Sequence, residues 1–187
     1  MVAREVWAVA ADTDTARQPA TAVPGAGTAG VLRIAGAHGG AGTTMLARWL
    51  APAQDLGTVP VLLTRGPDGT SRVLLSRAVL AAVTAGPLIL AARGTTWSAG
   101  QAATAARAIA GAGGQIAVIA VTGDGLPEPG EARYRYRALA GVSGAQVFRI
   151  PYLLAARSAA DPAGVRLPRR AAAVLDDIAA LAGVRAS

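Results

Sequence analysis

Residues 36–46, GAHGGAGTTML, place four glycines within seven positions, between an apolar run, VLRIAGA at 31–37, and a segment with helical spacing, TTMLARWLA at 43–51. A strand that passes through a glycine-rich turn straight into a helix leaves few architectures open. The helix must pack back on the sheet that holds the strand, and the chain then returns to that sheet through a right-handed crossover. Glycines at such a turn let consecutive backbone N–H groups face inward as a nest, and the helix that follows adds its unpaired N–H groups and positive dipole end. Both features suit an anion. A phosphate-binding loop of the form GxxxxGK[ST] also carries a lysine before its final hydroxyl residue. Here Thr44 supplies the hydroxyl and Thr43 occupies the lysine's place.

The rest of the chain repeats the same unit. Met45, Leu46, Trp49 and Leu50 recur at helical spacing until Pro52. A second strand is expected at 59–65, VPVLLTR, with the turn GPDG after it, and a helix from Ser71 to Gly86. Strands at 87–93 (PLILAAR), 115–123 (QIAVIAVTG) and 145–151 (AQVFRIP) alternate with helices at 94–114 and 129–141, and a terminal helix is expected at 169–183. Apolar runs without alternation belong to strands covered on both faces, and strands separated by helices pair in parallel. The expected fold is a three-layer α/β sandwich with a mostly parallel sheet of about five or more strands. Residues 1–30 carry no apolar periodicity and, from 10 on, are rich in Ala, Thr, Pro and Gly, so they read as a flexible lead-in to one domain over 31–187.

Composition narrows the chemistry. The chain of 187 residues has no cysteine, which excludes disulfides, thiolate metal sites and cysteine nucleophiles. All 18 basic residues are arginine, so a cation for a bound phosphate has to be a guanidinium. The first eleven residues lack a convincing signal peptide, and no stretch reaches the roughly 18 apolar residues of a membrane-spanning helix, so a cytoplasmic location is expected.

In parallel sheets ligands sit beyond the carboxyl ends of the strands. The loops at 37–44, 64–70, 93–98, 122–130 and 151–162 are therefore the candidate site. AHGGAGTT at 37–44 resembles the deviant phosphate loop of the ParA/MinD family of P-loop NTPases, xKGGxGKT. Gly39, Gly40, Gly42 and Thr44 match. Ala41 fills the variable place, His38 stands where the family has its signature lysine, and Thr43 stands at the general P-loop lysine. VPVLLTRGPDG and VFRIPYLLAARSAADP resemble the family's second strand and its late loop over the base. The resemblance implies a bacterial P-loop fold that binds ATP or another nucleoside phosphate with Mg²⁺, or no ligand at all, with Thr44 as metal ligand and residues 38–44 around the phosphates.

The resemblance also exposes losses. Where the family ends its second and third strands in acids, this chain has Arg65 and Arg93, with Asp68 displaced into the turn. The two arginines either face a bound anion in place of lysine or cap their strands toward solvent. His38, the only histidine, is expected to hydrogen-bond within the loop. Asp124 reads as a turn residue or a contact to a base, and Trp97 as rim packing or a stacking face. Without lysine and acids, hydrolysis is not expected, nor is a nucleotide-driven dimer that depends on the signature lysine. The reading is a catalytically inactive, nucleotide-responsive or structural partner of another protein. A DNA-associated partition or mobile-element protein of plasmid or conjugation type is the alternative, because the net charge is +7 and RYRYR at 133–137 mixes arginine with tyrosine. An NTPase rescued by arginines or by a partner is the third.

Overall fold

The computed structural model describes residues 31–59, 62–65, 71–75, 77–83 and 85–182. The expected lead-in at 1–30 and Asp68 lie outside the described residues. Strand β1 (Leu32–Gly36) runs through the glycine loop into helix α1 (Thr43–Trp49), which leads to strand β2 (Ala53–Thr58). Strands β3 (Leu62–Arg65) and β4 (Ser71–Leu74), helix α2 (Arg77–Val83), strand β5 (Leu88–Arg93), helix α3 (Thr96–Gly111), strand β6 (Ile116–Thr122), helix α4 (Gly130–Ser143) and strand β7 (Gln146–Ile150) follow. The short helix α5 (Leu154–Ser158), a 3₁₀ turn (Pro162–Gly164) and helix α6 (Arg169–Leu181) complete the described fold.

Five strands form one sheet in the order β2-β1-β5-β6-β7, and every pairing in it is parallel. Alternate side chains serve opposite faces. Leu88, Leu90 and Ala92 of β5 pack with Val79 and Val83 of α2, Ala102 and Ile109 of α3, and Tyr136 of α4. Ile89 and Ala91 pack with Leu46 of α1 and with Leu175 and Ile178 of α6 on the other side. The three-layer α/β sandwich with a parallel sheet is therefore as the sequence indicates, and β1, β5 and β6 are almost fully buried because helices cover both faces.

Two expected elements differ. The second strand of the sheet is Ala53–Thr58, not residues 59–65; Leu62–Arg65 instead pairs antiparallel with Ser71–Leu74 in a separate two-stranded ribbon. The helix expected from Ser71 begins only at Arg77. Strand β2 escapes an apolar search because it lies at the sheet edge, where Gln54, Asp55 and Thr58 are exposed.

The strand order reverses at β1. From there the chain goes through α1 to β2 on one side, then through α2 on the opposite face to β5 on the other side. Loops leaving β1 and β5 diverge at such a point and open a crevice beyond their carboxyl ends.

Candidate functional site

The glycine loop opens into that crevice. Gly40 and Gly42 have φ of 78° and 91°, in the left-handed region where a side chain is strained. Gly36 is required for another reason: a Cβ there would come within 2.9 Å of Thr43 Cγ2. Among the described residues, the loop N–H of Ala41 donates to His38 O at 3.2 Å, whereas no hydrogen bond engages the N–H groups of Gly40, Gly42, Thr43 and Thr44. Helix α1 has only seven residues, so its dipole adds little, and the loop amides are the principal donors.

Two side chains hold the loop in this shape. The Thr122 hydroxyl at the end of β6 is buried and shared between Ala41 O at 3.3 Å and Ala92 O at 3.1 Å. His38 is buried as well, with its Nδ1 2.7 Å from Gly39 O and its Nε2 2.7 Å from Ser98 Oγ. A carbonyl oxygen only accepts, so Nδ1 carries a proton and donates. The imidazole lies against Trp97, with ring centroids 4.7 Å apart and planes at 60°. Ser98, in the first turn of α3, is fully buried; its Oγ accepts from Arg93 N–H at 2.7 Å. The Tyr136 hydroxyl of α4 donates to Arg93 O at 2.5 Å and lies 3.3 Å from Ser98 Oγ. Burial pushes the Tyr136 phenol up to about 12, opposed by the Ser98 hydrogen bond, so it stays a neutral donor.

A cleft of about 250 Å³ borders the loop, lined among others by Gly40, Gly42, Arg93, Asp124, Tyr152 and Arg157. It adjoins a second cleft of about 430 Å³ between the loops after β6 and β7; Asp124 and Tyr152 border both. Asp124 Oδ1 accepts from Leu126 N–H at 3.0 Å, so the expected turn is present. Arg157 Nη1 donates to Tyr152 Oη at 3.4 Å. Beyond Tyr152, Glu128 and Arg149 form an ion pair at 2.6 Å.

The structure thus brings Gly40, Gly42 and Arg93 together and turns His38 away from the cleft into its own helix α3. Gly39 is an exposed loop residue and Ala41 is buried beneath the loop. Arg65 is not at a carboxyl end of the parallel sheet: it ends a strand of the separate ribbon, opposite Ser71, because β2 and not 59–65 pairs with β1. Thr44 is exposed, and its hydroxyl donates to Asp55 Oδ2 at 2.7 Å. Asp55 Oδ1 accepts from Gly57 N–H at 2.8 Å. A bulge in the β1–β2 ladder, where Ile34 pairs with Asp55 and Gly36 with Thr58, accompanies the φ of 70° at Gly57 and sets this carboxylate beside α1.

Asp55, Ser98, Thr122 and Arg157 border or brace the candidate site without having been singled out in the sequence, and Tyr136, marked there within RYRYR as a nucleic-acid contact, is buried and hydrogen-bonds to Arg93 O instead. Arg157 lay in a loop marked by its position, and Asp55 carried no signal because its strand is polar. Thr44 and Asp55 offer only oxygen atoms, which suits Mg²⁺, and no group of three or more His, Cys, Asp or Glu gathers among the described residues. That donor set fits a metal that takes most of its ligands from phosphates and water rather than from protein.

No protein-family model, no curated protein and no solved structure matches the chain. No helix among the described residues is long and apolar enough to cross a membrane.

Proposed function

We propose that the chain is a ParA/MinD-like P-loop domain that has lost catalysis and binds ATP or another nucleoside phosphate, with Mg²⁺, as a responsive partner of another protein. The carrying observation is that one cleft is lined by Gly40 and Gly42, whose amides engage no hydrogen bond among the described residues, and by Arg93 and Arg157. Arginine forms forked, charge-assisted bonds to phosphate, so two of them do in the cleft what a lysine does in an ordinary loop. Thr44 and Asp55 are the protein oxygens that would sit beside the metal, whose contribution is to neutralise phosphate charge. Hydrolysis needs an oriented water and transition-state charge stabilisation beyond this set. Asp55 is held by Thr44 and Gly57, and Asp124 by Leu126 N–H, so neither is poised as a free base. Equilibrium dialysis with radiolabelled ADP and Mg²⁺ tests the site. An Arg93→Ala/Arg157→Ala double variant is expected to bind at least about tenfold more weakly, the loss of roughly 1.4 kcal/mol or more that charge-assisted bonds carry. Equal binding by both proteins refutes the reading.

A second reading rests on α4, where Arg133, Tyr134 and Arg137 are exposed and, among the described residues, Arg135 alone is paired, with Glu131 at 2.7 Å. Arg133 and Arg137 share one face of the helix, and such a face fits a nucleic-acid backbone. Affinity for DNA that falls steeply between 50 and 200 mM salt supports it, and no binding at the lower salt removes it.

A further inference from the structure

We propose that the outer face of helix α4 is the docking surface for an acidic amphipathic helix of a partner protein. This gives the protein partner of the first reading above a place and a chemistry, and it does not depend on what the glycine loop binds. Over Gly130–Ser143 the sequence GEARYRYRALAGVS supplies two apolar rows rather than one. Ala132 and Tyr136 are buried, and Leu139 and Ala140 pack beside them on the core. That single stripe is all a surface helix needs to hold its place on a sheet, and its other side is then expected to be polar.

Here the other side is apolar as well. Tyr134, Ala138, Gly141 and Val142 follow one another at helical spacing, which sets all four within about 100° of arc. All are exposed, Tyr134 at 70% and Val142 at 90%. Gly141 weakens the helix, yet a Cβ there would meet nothing within 4 Å, so the fold itself does not call for a glycine. A missing side chain at that point lets the backbone of a second helix come close.

Charge decides which occupant fits. Arg133 and Arg137, one turn apart along one flank of the row, have no ion-pair partner among the described residues. On the other flank Glu131 and Arg135 neutralise each other at 2.7 Å. The face therefore presents an apolar row beside two unbalanced guanidiniums. A second copy of the chain would bring the same arginines and a further net charge of +7 against them. A nucleic-acid backbone would answer the arginines and leave Ala138 and Val142 in water. A helix with leucine-type residues at every third or fourth position, flanked by Asp or Glu, answers both.

The probe is a fluorescein-labelled helical peptide of about 18 residues with leucines in one stripe and glutamates beside it. Its control has the same composition, with the leucines distributed around the helix. Fluorescence anisotropy at physiological salt is expected to give a dissociation constant of about 1–100 μM for the striped peptide and at least about tenfold weaker binding for the control. Ala138→Gln/Val142→Gln, which leaves the charge unchanged, and Arg133→Gln/Arg137→Gln, which leaves the apolar row, are each expected to weaken the striped peptide at least about tenfold. The thermal unfolding midpoint should not move in either variant, because all four positions are exposed. Equal affinity for the two peptides, or no loss in Ala138→Gln/Val142→Gln, overturns the proposal, because charge alone then accounts for binding. No binding of either peptide overturns it too. Self-association of the wild type that Ala138→Gln/Val142→Gln abolishes overturns it in favour of a second copy. Duplex DNA binding lost only in Arg133→Gln/Arg137→Gln, with no preference between the peptides, overturns it in favour of nucleic acid. The two peptides on the wild-type protein decide the matter even if a variant fails to fold.

Discussion

A carboxylate 2.7 Å from the Thr44 hydroxyl opposes any anion that approaches the same end of the loop unless a cation lies between them. Asp55 and Thr44 are both exposed, so the opposition is screened and amounts to about 1 kcal/mol. Asp55→Asn is therefore expected to tighten phosphate binding about fivefold in EDTA and to weaken its dependence on Mg²⁺, as measured by calorimetric titration with and without the metal. Tyr136 is tested at the opposite end of the pH scale. Its phenol is pushed up from 10.0 to about 12 in the folded protein, mainly by burial. Between those values the folded state holds a proton that the unfolded state has released. The stabilisation is full below pH 10 and is lost as the pH rises toward 12. Denaturant titrations should record a fall on the order of 2 kcal/mol from this group across that window. Tyr136→Phe should flatten it while costing about 1–2 kcal/mol at pH 7, because Arg93 O loses its donor.

Gly40 has φ of 78° with open space around its missing side chain, so Gly40→Ala meets no clash and only backbone strain. A loss of about 1–2 kcal/mol is expected in chemical denaturation, with a larger proportional loss of phosphate affinity, whereas Gly39→Ala, equally open and without a left-handed φ, should change stability by less than about 0.5 kcal/mol. Equal effects of the two substitutions would mean that the left-handed turn is not what shapes the loop. The elements differ in how plainly the sequence displays them. β1, β5 and β6 are legible because burial on both faces demands unbroken apolar residues. β2 is hidden by its exposed Gln54 and Asp55, and the apolar Leu62 and Leu63, which pair within a separate ribbon, take its place in any pattern search. The segment from Ser71 offers the same ambiguity, since a short apolar run fits a strand or a helix until tertiary pairing decides.

At the scale of the whole molecule, the crevice at the strand-order reversal gathers residues that no local pattern could bring together. The His38–Ser98 bond links positions 60 apart, and Arg157 lines the same cleft as Gly40 and Gly42. The glycines were legible because backbone conformation is written locally, whereas their partners depend on topology. With no lysine in the glycine loop and with Asp55 and Asp124 each engaged by hydrogen bonds, the isolated protein is expected to hydrolyse ATP and GTP no faster than buffer, and Thr43→Lys is not expected to produce turnover; phosphate release near one per second would contradict this. With His38 turned into its own α3, light scattering should give one mass with and without ATP, and an ATP-dependent dimer lost in His38→Ala would contradict that expectation. Nucleoside phosphate binding in the crevice is tested most directly by the thermal unfolding midpoint against MgATP and MgADP concentration. A ligand that binds only the folded state stabilises by RT ln(1 + [L]/Kd). For a dissociation constant of about 1 mM, 10 mM nucleotide contributes about 1.4 kcal/mol and raises the midpoint by about 3–5 °C. That rise, absent in Arg93→Ala/Arg157→Ala, is the predicted result; a midpoint that does not move up to about 10 mM with either nucleotide contradicts the account.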